Sequence, residues 1–191
     1  MYLWHCKKRI RISSISSMGS TANPPSAIHN VFVYGSLLAD DVVQVLLNRI
    51  PASSSATLPN YHRFSIRGRV YPAILPIENN KVTGKVLSGI TPLELHILDE
   101  FEDAEYERRT VDVFLMDSSE KLQAHTYVWE NKTDPNLYGE WNFEIWKQLH
   151  KDEFLKMTKG FVEELGLPDS KRRVETYESF YPQTENNPSN P

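Results

Sequence analysis

Val31-Phe32-Val33-Tyr34-Gly35-Ser36-Leu37-Leu38 is the stretch that decides how this chain folds. Three apolar residues that favour strands run into Tyr-Gly-Ser, and residues 40–47 follow with the apolar spacing of an amphipathic helix. Glycine permits a tight turn, and free N–H groups at the start of a helix attract negative charge. The pattern predicts a buried strand that ends in an anion-binding turn, with an ordinary strand-to-helix connection as the alternative.

Size and composition predict one domain. The chain has 191 residues, of which 40% are hydrophobic, and this is enough for a substantial core. A net charge of −4 argues against a dedicated nucleic-acid binder, and no apolar run approaches the ~20 residues that cross a bilayer. The single cysteine, Cys6, excludes an intrachain disulfide and a cysteine-based metal cluster, and it indicates a reducing compartment.

Composition also predicts the domain boundaries. We expect an unstructured leader over residues 1–28, a folded domain over residues 29–168 and a polar tail over residues 169–191. The leader is basic, rich in serine and free of Asp and Glu, as in organellar transit peptides. The simpler interpretation is a translational extension ahead of a second start at Met18. We therefore predict a cytoplasmic protein, with organellar targeting as the alternative.

Apolar periodicity and turn residues predict an α+β fold. We expect a mixed, largely antiparallel, barrel-like sheet flanked by helices. Thr91 and Glu94 match a capping box at the start of one helix, and the glycines at 84 and 89 suggest bulges or close backbone approach. The predicted strands after the first are 61–67, 71–76, 82–90, 106–115 and 122–129, and the later helices are 91–103 and 142–165.

One carboxylate of helix 91–103 lies on the apolar side. Glu102 falls seven and four positions after Leu95 and Leu98, on the same stripe, whereas Glu94 has a capping role. Burial raises the pKa of a carboxylate, which suits a general base near neutral pH. The alternative is that Glu102 bends into solvent at a frayed helix end or pairs with Arg108 or Arg109.

Other chemistries have weaker support in the sequence. Ser36 would need a histidine base to act as a nucleophile, and the histidines at 29, 62, 96, 125 and 150 are scattered. No spacing of His, Asp and Glu resembles a set of metal ligands, so we expect neither a metal nor another cofactor. Four aromatic residues read as core rather than as cofactor contacts: Tyr127, Trp129, Trp141 and Trp146.

Four motifs in order resemble the γ-glutamylcyclotransferase-like family, and its plant avirulence-induced-gene-type branch in particular. The resemblance covers roughly residues 29–165. The motifs are Val31 to Leu37, Leu98-Asp99-Glu100-Phe101-Glu102 with Glu105-Tyr106-x-Arg108-Arg109-Thr110-Val111, then Thr126-Tyr127-Val128-Trp129, and Asp134-Pro135-Asn136-Leu137-Tyr138-Gly139-Glu140-Trp141. Many family members have Glu-Gly where this chain has Glu102-Asp103.

The resemblance implies the fold of that family and an acyltransferase that releases 5-oxoproline and an amine from a small γ-glutamyl substrate. It implies Glu102 as the catalytic residue. The substrate-binding residues that it implies are Val31, Phe32, Val33, Tyr34, Gly35 and Ser36, with Tyr138 lining the pocket. We also expect Leu37, through the turn, and Tyr127, as a wall and hydroxyl contact, to bind the substrate. We expect a monomer or weak dimer that binds neither nucleic acid nor membrane.

The runner-up hypothesis belongs to another functional class. A catalytically weak or inactive protein could keep the same pocket for a ligand in a stress response. Glu102 favours the enzyme, whereas no motif in the sequence identifies the rest of the substrate. Release of 5-oxoproline from γ-glutamyl dipeptides distinguishes the two.

Overall fold

The computed structural model describes residues 27–165 and Tyr177, so the leader up to residue 26 and most of the polar tail lie outside the described residues. Within them, short 3-10 turns follow β1 and α2, at Ser36–Leu38 and Asp103–Glu105. The strands and helices in chain order are β1 His29–Val33, α1 Asp40–Leu47, β2 Ser53–Ile66, β3 Ala73–Ile90, α2 Pro92–Glu102, β4 Tyr106–Leu115, β5 Lys121–Trp129, β6 Leu137–Tyr138, α3 Phe143–Leu149 and α4 Lys151–Glu164.

Five strands close into a barrel. Their order is β3-β1-β5-β4-β2, and β2 also pairs with β3, so the first and last strands meet. The β1–β5 pair is parallel and the other pairs are antiparallel. The predicted α+β fold with a mixed, largely antiparallel, barrel-like sheet is therefore confirmed. The two-residue β6 lies outside the barrel, against β2.

The two longest strands correct the predicted segmentation. β3 is one strand where two were predicted, and β2 begins eight residues earlier than its predicted start at 61. Pro76 is accommodated because the β2–β3 register shifts beside it, between Pro59 and Tyr61. Gly84 instead marks a close approach, since a Cβ there would lie 2.2 Å from the carbonyl oxygen of Val33.

Helix α2 begins as its sequence predicts. The Thr91 hydroxyl accepts a hydrogen bond from the Glu94 N–H, and the Glu94 carboxylate accepts one from the Thr91 N–H. Both halves of the capping box are thus formed. Leu98 and Phe101 are fully buried on the inner side, and Phe101 packs edge-on against aromatic rings of α4. Burial of this face fixes how α2 is rotated about its axis.

The C-terminal helical region bends where one helix was predicted. α3 ends at Leu149 and α4 begins at Lys151, because His150 departs from helical geometry with φ −129° and ψ −16°. The bend lets Trp146 and Phe154 pack on each other at 5.4 Å between ring centroids. Leu149, the last residue of α3, is 68% exposed.

Tyr177 packs on the barrel although the tail around it reads as polar. Its ring meets that of Tyr71 at 5.0 Å, and its hydroxyl accepts a hydrogen bond from the Val70 N–H. The residue is 1% exposed. The folded unit therefore includes at least this residue of the tail. Each helix within residues 27–165 is too short or too polar to span a membrane.

Candidate active site

A cavity opens between the end of β1 and the end of α2. The Tyr-Gly-Ser turn (residues 34–37) forms one side and Glu102 lies on another, although the two segments are far apart in sequence. Aromatic rings supply most of the remaining wall. The full lining is Phe32, Val33, Tyr34, Gly35, Ser36, Leu37, Tyr71, Pro72, Phe101, Glu102, Tyr106 and Tyr127.

The Tyr-Gly-Ser turn presents N–H groups at this cavity. Two of its carbonyls accept backbone hydrogen bonds: Leu38 N–H donates to Gly35 O and Ala39 N–H donates to Ser36 O. Within residues 27–165, the N–H groups of Gly35, Ser36 and Leu37 donate to no protein acceptor. A Cβ on Gly35 would lie 2.8 Å from Cγ of Pro72, so glycine is needed for the turn to pack against this wall. The turn can therefore supply several hydrogen-bond donors to an anion.

Glu102 is the last residue of α2 and is half-buried at the cavity. Leu98 and Phe101, which precede it on the inner face, are buried and determine the direction in which its side chain leaves the helix. The two arginines considered as alternative partners bind other carboxylates: Arg108 binds Asp99 at 2.6 Å and Arg109 binds Glu107. The structure thus places Glu102 at the cavity as its helical phase predicts.

Tyr127 links the cavity to α2 and β1. Its hydroxyl donates to Asp99 at 2.8 Å, and its carbonyl accepts from the Tyr34 hydroxyl at 2.6 Å. Burial, reinforced by the negative charges of Asp99 and Glu102, raises the pKa of Tyr127 far above its ordinary value. Tyr127 is therefore a neutral donor throughout the physiological pH range, and it can orient a ligand but not titrate.

Two tyrosines that sequence reasoning missed complete the wall. Tyr71 donates to the Glu105 carboxylate at 2.7 Å, and Tyr106 donates to the Pro72 carbonyl at 2.7 Å. Tyr106 is the first residue of β4, directly after the short turn that follows α2. The quoted motif around Tyr106 was the available clue to its place, whereas nothing local marked Tyr71.

The nucleophile and metal alternatives have no support at the cavity. Among the described residues, no histidine lines it together with Ser36. His29 and His125 pack against each other at 5.3 Å, and His62 contacts the Gly139 carbonyl. Residues 27–165 and Tyr177 hold no group of three or more His, Cys, Asp or Glu side chains suited to a metal ion.

Comparison with known proteins assigns the family. Residues 31–143 match the family described as Gamma-glutamyl cyclotransferase, AIG2-like. AIG2-like protein D of Arabidopsis thaliana is 69% identical over 144 residues, which cover 75% of this chain and 95% of that protein. The chain belongs to this family.

Further members agree in sequence and fold. AIG2-like protein C of Arabidopsis thaliana is 57% identical, over 82% of this chain and 91% of that protein. The solution structure of another Arabidopsis thaliana protein is 52% identical, with a TM-score of 0.57 over 71% of this chain and 91% of that one. A second solution structure from the same plant is 43% identical, with a TM-score of 0.58.

Two residues implied by the family resemblance do not reach the cavity. Val31 is fully buried one residue before the lining begins, and its backbone pairs with Leu87 and His125 on the two neighbouring strands. Tyr138 is 49% exposed, because β6 pairs with the far end of β2 and leaves the ring on the surface beside Arg67. The structure brings the other expected site residues, from Phe32 to Leu37 with Glu102 and Tyr127, to the cavity.

The residue after Glu102 has a backbone conformation that favours glycine. Asp103 has φ 58° and ψ −168°, a backbone conformation that is essentially reserved for glycine. Its carboxylate accepts a hydrogen bond from the Ala104 N–H at 2.6 Å. The chain therefore holds a strained residue directly beside its candidate base.

Proposed function

We propose that the protein is a γ-glutamylcyclotransferase that converts a γ-glutamyl group into 5-oxoproline and releases the attached amine. The observation that supports this most is the shared cavity of Glu102 and the Tyr-Gly-Ser turn. Together these two segments offer a proton acceptor and a set of N–H donors. Membership in the family named for this reaction supports the same proposal.

The reaction needs proximity and proton transfer rather than a protein nucleophile. The substrate's own α-amine attacks its γ-carbonyl carbon, a five-membered lactam closes, and the bond from that carbon to the leaving nitrogen breaks. Glu102 accepts a proton from the α-ammonium group and returns it to the leaving nitrogen. The second proton that the attacking nitrogen loses as the lactam forms also goes to the leaving amine, which departs as an ammonium, so protons balance over the cycle. Holding amine and carbonyl in one curled chain supplies much of the rate.

The remaining cavity groups suit the other demands of the reaction. N–H groups of the Tyr-Gly-Ser turn can bind the α-carboxylate or the developing oxyanion. Phe101, Tyr71 and Pro72 make the wall largely apolar, which limits water around the reacting atoms. The neutral Tyr127 hydroxyl donates its proton to Asp99, so its oxygen can accept a hydrogen bond from the substrate.

The test is release of 5-oxoproline from γ-glutamyl dipeptides and γ-glutamyl amines by the purified protein. Glu100→Gln is the matched control for Glu102→Gln, because Glu100 is an exposed carboxylate on the same helix and contacts only His96, at 3.9 Å, among the described residues. We expect the wild type and the Glu100→Gln variant to release 5-oxoproline and the Glu102→Gln variant to be at least ~10²-fold slower. A wild type that binds these compounds without turnover would instead support the ligand-binding hypothesis.

A further inference from the structure

Arg63 is a cation in β2 that lies behind the Tyr-Gly-Ser turn. Its Nη1 donates to the Tyr34 carbonyl at 2.8 Å, and its guanidinium lies 5.4 Å from the centre of the Trp141 ring. The side chain is only 14% exposed, yet Arg63 is not among the residues that line the cavity. Arg63 is thus a half-buried arginine that contacts the turn from outside the cavity, and the same Nη1 also donates a longer hydrogen bond to the Thr83 carbonyl at 3.4 Å.

The contact with Tyr34 determines where a neighbouring N–H points. In a trans peptide the C=O of one residue and the N–H of the next point in opposite directions. Arg63 draws the Tyr34 carbonyl toward β2, so the N–H of Gly35 faces the other way. Tyr34 and Gly35 both line the cavity, and within residues 27–165 this N–H has no protein acceptor.

The charge of Arg63 is also poorly neutralised. Its nearest carboxylate, that of Glu140, is 3.9 Å away and 67% exposed. Its Nε is buried and has no hydrogen-bond partner among the described residues, and desolvation lowers its pKa. Lys85 provides a contrast: it contacts the Leu38 carbonyl at the other end of the turn but is paired with Asp40 at 2.5 Å. The positive charge of Arg63 therefore lies against the Tyr34 carbonyl with only a distant, exposed carboxylate to neutralise it.

We propose that Arg63 is a positioning residue that makes the Tyr-Gly-Ser turn selective for ligands with a free α-carboxylate. It acts through the Tyr34–Gly35 peptide, whose N–H it aims at the cavity, and through its own charge, which favours an anion there. This inference rests on the proposed function and adds a substrate requirement to it: γ-glutamyl compounds whose α-carboxylate is free are bound, and those with an amidated carboxylate are not.

The test compares two product-like ligands of nearly equal shape. 5-Oxoproline has a carboxylate, whereas 5-oxoprolinamide has a neutral amide in its place. Calorimetry or ligand-observed NMR gives a dissociation constant for each with the wild type, Arg63→Gln, Arg63→Lys and Arg109→Gln. Arg109 is the matched control, because it pairs with Glu107 and does not line the cavity.

We expect the wild type and Arg109→Gln to prefer the carboxylate ligand, and Arg63→Gln to lose roughly tenfold of that preference. Binding of the amide should change less than about twofold. Arg63→Lys keeps the charge without the planar fork, so it should recover part of the preference. This partial rescue also tests the proposal if Arg63→Gln proves unstable.

Each other outcome overturns the inference in a recognisable way. If both ligands weaken equally in the Arg63 variants, the residue has only a structural role. If the preference stays constant in all four proteins, the carboxylate is recognised elsewhere and the proposed cyclotransferase function is unaffected. A wild type that shows no preference for the carboxylate ligand overturns the inference, whereas the proposed function is tested separately by release of 5-oxoproline.

Discussion

The two ends of helix α2 each carry a glutamate that faces the protein, and their surroundings differ. At the start, Glu94 accepts hydrogen bonds from Nε and Nη2 of Arg49, at 2.5 and 2.7 Å, and takes part in the capping box with Thr91. At the end, Glu102 lies at a cavity walled by aromatic rings and a glycine turn. The contrast indicates that the role of an inward-facing carboxylate depends on which residues other segments of the chain place beside it.

The largest expected effects follow from exchanging the two carboxylates for amides. Glu102→Gln should lower turnover by ~10²-fold or more and leave the melting temperature unchanged, because the proton acceptor is lost while size is kept. Glu94→Gln should lower the melting temperature and leave turnover unchanged, because it removes the charge that binds Arg49 and Glu94 does not line the cavity. Paired assays of 5-oxoproline release and thermal unfolding check both. An equal loss of activity in both variants would contradict the different roles expected for Glu94 and Glu102.

The glycine turn opposite Glu102 offers the next largest effect. Gly35→Val should reduce turnover by roughly tenfold or more, since its side chain meets Pro72 and displaces the N–H donors. Ser36→Ala should stay within about threefold of wild type, because the backbone rather than the hydroxyl is used. An inactive Ser36→Ala variant, with Ser36 labelled by an acylating reagent, would favour the nucleophile mechanism instead.

The start of α2 should show its role in the pH dependence of stability. The hydrogen bonds from Arg49 lower the pKa of Glu94 from 4.5 to about 2. The folded state therefore gains stability that is fully present above about pH 4.5 and is lost as the pH falls toward 2. Because Arg49 is 41% exposed, we expect only about 1–2 kcal/mol. Urea unfolding of wild type and Glu94→Gln should converge over this range, and a constant difference would contradict it.

The smallest effect concerns the strained residue after Glu102. Asp103→Gly should stabilise the fold by about 0.5–1 kcal/mol, because glycine adopts its backbone conformation without strain. Asp103→Ala is the control and should destabilise, since it keeps the strain and loses the contact with Ala104. Denaturant midpoints measure both. A less stable glycine variant would show that the Asp103 side chain contributes more than its backbone costs.

Local patterns predicted the elements whose stability is local. The capping box of α2 lies within four consecutive residues, and β4 was predicted at its observed bounds from alternation alone. Periodicity failed where tertiary contacts override it. The helix predicted over residues 142–165 bends at His150, because Trp146 and Phe154 pack on each other across the bend.

The sequence by itself determined the class of fold, the inward direction of Glu102 and the family, because periodicity, capping and motif order are written in neighbouring residues. Only the tertiary structure decided which residues share the cavity. Closure of the barrel brings Tyr71 and Tyr106 to the turn, and the outer position of β6 keeps Tyr138 away. Strand register and barrel closure depend on pairing between distant segments, and no local pattern in the chain encodes that pairing.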